Sequence, residues 1–359
     1  MCKIAVIILN WNGIDHGLIR QYLPSVVKNS RREDTQVIVA DNGSTDASLK
    51  ILKEEFPSVR IIALDKNYGF AEGYNLAVRQ VAKEEDAPEY VILLNDDVRV
   101  TPNWLDPMIS YMENHRRCAA LQPKLLKDFT GLSQLTSTPQ QPDVFEYAGA
   151  CGGYLDNLCY PYCRGRIFDV VEEDRGQYDL PAGEAWPVMW ATGACLMVRT
   201  QAYLNAGGLD HRFFAHMEEI DLCWRLRRMG YELVCVPQSK VYHKGGASLP
   251  QGNPKKTRLN FRNSLVMMWK NLPAEKCNRT ILKRKIFDGV AAMNFLIHGQ
   301  FRQVWAIFKA HREASDMIKH QYTASELVGF GQSPVFKQGR ISILYKYFLR
   351  GKKRYSELF

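Results

Sequence analysis

Glu89-Tyr90-Val91-Ile92-Leu93-Leu94-Asn95-Asp96-Asp97-Val98-Arg99-Val100 is the stretch that decides how this chain is read. An apolar run of strand length stops at two adjacent carboxylates, so the chain leaves a core and delivers acid groups at the C-terminal end of a buried strand. Open α/β sheets place their ligands at that end. Adjacent carboxylates resist losing hydration unless a cation or hydrogen-bond donors compensate them, and a divalent metal carrying a diphosphate is a common partner. A solvated acidic turn is the competing reading of the same residues.

Toward the N-terminus the pattern repeats. Lys3 to Leu9 is a β-branched run that opens onto Asn10-Trp11-Asn12-Gly13, and Ile14 to Val27 carries apolar positions at helical spacing. Thr35 to Ala40 reads as a second strand ending at Asp41-Asn42-Gly43-Ser44-Thr45-Asp46, followed by a helix from Ala47 to Phe56. Val59 to Leu64 reads as a third, leading through Asn67-Tyr68-Gly69-Phe70-Ala71 into a helix that ends near Lys83. Strands alternating with helices predict right-handed βαβ units and a mostly parallel, Rossmann-like sheet. Each strand end carries polar or glycine-rich residues, so Trp11, Asp41, Asn67 and Asp96 are expected on one sheet edge, an aromatic face and hydrogen-bonding groups for one ligand. Neither a Walker lysine nor the dinucleotide glycine pattern accompanies them.

Toward the C-terminus, Trp104 to His115 reads as a helix and Ala119 to Gln122 as a strand, and residues 124–186 lose periodicity and read as hairpins and loops. Pro187 to Arg199 reads as a turn feeding a buried strand. Trp190 and Thr192 lie on that turn and are acceptor-site candidates by position, with core packing the alternative for the indole. A helix runs from Ile220 to a stop at Gly230. Asp221 and Arg225, four apart, form an ion pair on it, and Glu218 and Glu219 fall at its N-terminus, where free amides favour carboxylates. Glu232 to Val236 and Lys240 to Tyr242 read as strands, with His243 and a Gly245-Gly246 bend after them.

The net charge of +9 divides unevenly: residues 251–359 hold 21 Lys+Arg and 6 Asp+Glu (+15), leaving 26 and 32 (−6) in residues 1–250. We therefore expect a catalytic domain over 1–250 and a basic helical region over 251–359. Nine cysteines, an odd count, together with no leader-like segment before the first strand, read as a reduced cytoplasmic protein. Cys151, Cys159 and Cys163 are spaced too widely for a paired zinc knuckle and read as loop cysteines.

Leu9-Asn10-Trp11-Asn12, Asp41 to Asp46, Asn67 to Ala71, Leu94-Asn95-Asp96-Asp97, Glu218 to Arg225 and Val241-Tyr242-His243 together resemble the inverting glycosyltransferases of family 2, which have the GT-A fold. Within that family the chain looks most like bacterial rhamnosyltransferase-type enzymes of surface polysaccharide. The resemblance implies a nucleoside-diphosphate sugar donor bound by Asn10, Trp11, Asn12, Asp41, Asn67, Phe70, Ala71, Asn95 and Asp96, with Trp11 and Asp41 on the base and Asp96 on the ribose. It implies a divalent metal, Mn2+ or Mg2+, on Asp97 and His243, and Glu219 as the base that activates a glycan or lipid-linked acceptor. The family's Asp-x-Asp pattern begins here with Asn95, and the base, often Asp, is Glu219. A nucleotide-sugar-binding protein without turnover is the alternative from another class. Nucleotidyl transfer would need a basic residue in the first loop, which Asn10-Trp11-Asn12-Gly13 lacks.

The tail carries apolar residues at steps of three or four from Leu282 to Phe308, an amphipathic helix with a break expected at Gly299. Its charge-free run, Gly289 to Phe301, is too short to span a bilayer. With the +15 balance, it predicts a peripheral position on the anionic inner face of the cytoplasmic membrane, against the alternative of packing on protein or pairing in a homodimer. No nucleic-acid-binding module accompanies the charge.

Overall fold

A computed structural model describes residues 3–129, 142–245, 252–323 and 337–359. The N-terminal half alternates as its apolar periodicity requires: β1 (Ile4–Asn10), α1 (Ile19–Asn29), β2 (Thr35–Asp41), α2 (Ser48–Glu55), β3 (Arg60–Ala63), α3 (Gly69–Val81) and β4 (Tyr90–Asn95). After the acidic turn come β5 (Val98–Val100), α4 (Leu105–Asn114) and β6 (Cys118–Lys127). Four short strands, β7 (Gly153–Leu155), β8 (Pro161–Cys163), β9 (Arg166–Ile167) and β10 (Val170–Val171), form a separate antiparallel sheet in the aperiodic region. Then follow β11 (Trp186–Pro187), β12 (Cys195–Arg199), α5 (Thr200–Asn205), α6 (Glu218–Arg228) and β13 (Glu232–His243).

The large sheet runs β11-β13-β6-β12-β4-β1-β2-β3, with β5 added on β13. β3, β2, β1 and β4 are parallel, whereas β12 is antiparallel to both β4 and β6. From β1 the chain steps first to β2 and β3, then crosses to β4 on the other side. The ends of β1 and β4 therefore flank a topological switch point, where a crevice opens in folds of this kind. The strands are buried on both faces, with β1, β2 and β4 sending alternate residues to two core layers.

The two strands expected around residue 236 are one. β13 runs unbroken beside β6, and a register shift between Val236 and Lys240 absorbs Pro237, a residue that cannot donate to a ladder. The β6 strand is longer than its apolar run suggested because Lys124 is buried inside it, its ammonium taken up by Asp174 and Asp179.

Three helices complete the fold: α7 (Pro254–Asn271), α8 (Ala274–Ile297) and α9 (Phe301–His320). The tail helix breaks at Gly299, which stands at φ +70°. The change of charge near residue 250 does not mark an end of the core, because Leu265 to Met268 of α7, Ala314 and Met317 of α9, and Tyr355 and Leu358 near the C-terminus share one apolar cluster with the sheet. All eight cysteines among the described residues are free and buried, Cys151, Cys159 and Cys163 included, so the latter are core side chains and not loop decoration.

Candidate active site

Three loops meet over the ends of β1, β2 and β4. Asn10, the last residue of β1, donates from Nδ2 to Asp41 Oδ2 at 2.7 Å and to Ser44 Oγ at 3.1 Å. Asp41 Oδ1 accepts the Ser44 N–H at 3.0 Å, and Asn12 Oδ1 accepts the Thr45 N–H at 2.8 Å. Both oxygens of the fully buried Asp41 are thus engaged, so it orders this wall. Trp11 stands out of the same wall at 44 % exposure, an indole face open to a flat ligand.

The second loop is fixed by Asn42, whose amide donates to Asn67 Oδ1 at 3.2 Å and to the Gly69 carbonyl at 3.0 Å, while Asn67 Oδ1 accepts the Gly69 N–H at 2.8 Å. Gly69 takes φ +78°, and a Cβ there would stand 2.7 Å from the Phe214 ring, so only glycine fits. Phe70 N–H donates to the Phe214 carbonyl at 3.1 Å, its ring meets Tyr74 edge-on at 4.9 Å, and Ala71 is buried beneath. The start of α3 is thereby tied to the segment that leads into α6.

The third loop carries the acids. β5 pairs antiparallel with β13 with Val98 opposite His243, which brings the distant imidazole onto the acidic turn. His243 Nε2 lies 3.0 Å from Asp97 Oδ1 and 3.4 Å from Asn95 Nδ2, and its Nδ1 lies 3.3 Å from Glu146 Oε2. Asp97 Oδ2 also accepts the Gly245 N–H at 3.1 Å. Burial works against charge on the His243 ring, but the carboxylates of Asp97 and Glu146 outweigh it and raise its pKa well above the usual value. Asp96 is pushed the other way from its neighbour: burial, reinforced by the Asp97 charge, raises its carboxyl to about 8. Glu146 lies in the aperiodic stretch, where no strand-end pattern marks it, and sequence reasoning missed it.

Across the end of β4 stands α6. Phe214, His216 and Met217 all have positive φ (64°, 71° and 73°), a strained entry that turns the first residues of the helix toward the sheet edge. Glu218 is buried at 4 % exposure, while Glu219 is half-buried beside Gly193 and Phe70; a Cβ on Gly193 would stand 3.5 Å from Glu219 Cβ and 3.4 Å from Phe70 Cζ. Gly193 adjoins Ala194, whose carbonyl accepts the Asn95 N–H at 3.0 Å, so Glu219 and the acidic turn adjoin the same stretch of backbone. Burial raises the Glu219 carboxyl to about 7, and burial with the Glu219 charge raises Glu218 well above the usual range. Asp221 does form the expected ion pair, with Arg225 Nε at 2.9 Å.

Trp190 and Thr192 are not on the cleft wall. Trp190 is 3 % exposed, its indole lies flat against Gly153 and its Nε1 donates to the Tyr154 carbonyl at 3.0 Å. Thr192 is 1 % exposed and its Oγ1 accepts the Ala194 N–H at 3.2 Å. Position on a turn placed them near the gap, but packing turned both side chains inward, so they shape the floor and present no surface to an acceptor.

An open sheet with strand-end acids over a switch point is the setting in which α/β enzymes bind their ligands. The family model for glycosyl transferase family 2 matches residues 5–175. The N-acetylglucosaminyl-diphospho-decaprenol L-rhamnosyltransferase of Mycobacterium tuberculosis is 31 % identical over 231 residues, covering 63 % of this chain and 71 % of the relative. Rhamnosyltransferase WbbL of Escherichia coli is 25 % identical, covering 64 % of this chain and 81 % of WbbL. The crystal structure of GalNAc-T7 with UDP, GalNAc and Mn2+ shares the fold at a TM-score of 0.54 and 15 % identity, over 76 % of this chain and 49 % of that one. The chain belongs to glycosyltransferase family 2, and among its relatives it is similar to the rhamnosyltransferases just named.

Proposed function

We propose that this glycosyltransferase is inverting and metal-dependent, moving a sugar, with rhamnose the first candidate, from a nucleoside diphosphate to a hydroxyl of a lipid-linked glycan at the inner face of the cytoplasmic membrane. The observation that carries the reading is the placement of the Asp97–His243 pair and the half-buried Glu219 beside one stretch of backbone. The names of the mycobacterial and E. coli relatives support rhamnose, and the first also supports a lipid diphosphate acceptor. The residues of the third loop fit a divalent ion. Asn95 Oδ1 is a buried oxygen with no hydrogen-bond partner, two carboxyl groups adjoin, and an imidazole completes a mixed oxygen and nitrogen donor set that suits manganese better than magnesium. Among the described residues no three acidic, His or Cys side chains close on an ion by themselves, so donor oxygens would complete the shell.

In this scheme Asp97 and His243 would hold the ion, which would supply positive charge beside the departing diphosphate. Trp11 stacks on the base, the Asn42–Asn67 loop and Asp96 line the donor, and Glu219 accepts the proton of the acceptor hydroxyl as its oxygen bonds to the anomeric carbon. The bond from that carbon to the diphosphate breaks on the opposite face, which inverts the centre. Calorimetry with dTDP-, UDP- and GDP-sugars, with and without Mn2+, followed by NMR of the product anomer, tests the reading. Donor binding that is indifferent to the ion, or a retained anomer, overturns it.

A further inference from the structure

α8 touches the rest of the fold through few residues and exposes apolar side chains along its length, Leu282 and Ile286 included. Its buried residues are Cys277, Arg284 and Asp288. Arg284 Nε donates to Asp288 Oδ1 at 3.1 Å, and Asp288 Oδ2 faces His311 Nε2 of α9 at 3.0 Å, a polar clasp at the base of the α8–α9 hairpin. Beyond the clasp, from Gly289 to Ile297, no residue of α8 is buried, and none from Gly289 to Phe301 is charged. Val290, Met293, Ile297, Phe301, Trp305 and Phe308 are 56–75 % exposed. Lys283 and Lys285 on α8 and Lys309 and Arg312 on α9 stand below this end, and Arg302 follows Phe301 at the turn itself.

An apolar end of this size is unfavourable in water, and its charge pattern says what covers it. We propose that the α8–α9 hairpin is a monotopic membrane anchor: the end from Gly289 to Phe301 enters the acyl region and the basic residues below it rest on anionic head groups. Val290, Met293 and Ile297 recur at steps of three and four and so share one side of α8, the arrangement by which interfacial helices bury an apolar side about 5–10 Å deep. No helix among the described residues is long and apolar enough to cross a membrane, so the hairpin enters one leaflet only. A second copy of the chain is the competing occupant. A two-fold pairing would gather the same basic residues of both copies round one interface, whereas anionic lipid neutralises them. The inference deepens the membrane location proposed above, and lipid binding reads it without turnover.

The test uses the full chain sedimented with phosphatidylcholine vesicles, with and without phosphatidylglycerol. Wild type should bind the anionic vesicles, and the Ile297→Asp/Phe301→Asp double variant should bind about tenfold or more weakly at every salt concentration. Lys283→Glu/Lys285→Glu should weaken binding to anionic vesicles alone, with the difference shrinking as salt rises. Brominated acyl chains should quench part of the wild-type fluorescence, and that part should vanish in Trp305→Phe. Unchanged circular dichroism and donor affinity in the variants certify the fold. Equal vesicle binding by wild type and the aspartate variant overturns the anchor, as does a wild-type dimer that ignores lipid and falls apart on the same substitutions. Vesicle binding in a protein that transfers no sugar upholds the anchor and removes only the proposed reaction.

Discussion

Asn263, buried in α7, donates from Nδ2 to the carbonyl oxygen of His216 at 2.7 Å. The same amide reaches the carbonyls of Ala215 at 2.9 Å and Phe213 at 3.1 Å, so one side chain of the C-terminal region holds the strained segment that aims Glu219. Backbone with positive φ at non-glycine residues persists only where its surroundings hold it.

Asn263→Ala should therefore lower kcat about 10- to 100-fold through misplacement of the α6 entry, leaving the donor KM nearly unchanged. Asn263→Asp should be worse, because a carboxylate would face three carbonyl oxygens. Steady-state kinetics separates the outcomes, and a raised donor KM at constant kcat would show that the clamp serves binding and not the base.

A second clamp joins the same two helices by charge. Lys270 Nζ lies 2.7 Å from Asp210 Oδ2 and 2.8 Å from Asp221 Oδ2, and Asn271 Nδ2 donates to Asp221 Oδ1 at 2.8 Å. Burial would raise both carboxyl groups, but the charges of Lys270 and of Arg212 or Arg225 hold them below the usual range. Lys270→Met leaves two buried carboxylates short of a cation and should cost about 3–5 kcal/mol at neutral pH. Because the folded-state pKa values are depressed, this stability is present above the unfolded carboxylate pKa of about 4 and is lost as pH falls through the folded values. The gap in thermal midpoint between wild type and Lys270→Met should narrow in acid. A constant gap would assign the effect to packing.

The clamps also explain what could be read from the sequence. β1, β2, β3 and β4 are apolar runs cut off by polar turns, and their observed limits fall within a residue or two of those patterns. The helix α7 escaped notice because its inner face carries Asn263, Ser264, Lys270 and Asn271 among apolar residues, each buried, which erases the apolar stripe. Lys270 and Asn271 are held by Asp210 and Asp221, 60 and 50 positions away, which periodicity cannot see. Glu146 was hidden for a similar reason: its role depends on His243, and only the pairing of β6 with β13 on one side and with residues 144–146 on the other brings that imidazole to it. The places of Asp97, His243 and Glu219 at the ends of regular elements could be read from the pattern, whereas the roles proposed for them came from the family resemblance.

Removal of the ion tests the acidic turn. Asp97→Asn should abolish the dependence of donor affinity on Mn2+ while leaving the fold intact, since Asn can still accept the Gly245 N–H. Glu146→Gln should be milder, weakening metal-supported binding through the orientation of His243 by the 10- to 100-fold or so seen for groups that orient metal ligands. Titration calorimetry of Mn2+ with donor present checks both, and Mn2+-dependent donor binding at wild-type strength in Asp97→Asn would remove that carboxylate from the ion.

The proposed mechanism makes Glu219 the base. An acceptor hydroxyl must lose its proton as the new bond forms, and a carboxylate in reach contributes about 10²–10⁴-fold. Burial raises the Glu219 carboxyl to about 7, so the group is protonated and idle in acid and becomes a base as pH rises. The rate should climb with pH about a midpoint near 7. Glu219→Gln should keep donor affinity, lose turnover and flatten that acid limb. Glu218, more deeply buried and with its carboxyl raised further, should be protonated throughout the working range, so Glu218→Gln replaces a neutral acid by a neutral amide and should be milder. The reverse ranking of the two variants would move the base by one residue. A wild-type pH limb that survives in Glu219→Gln would assign the titration to another group.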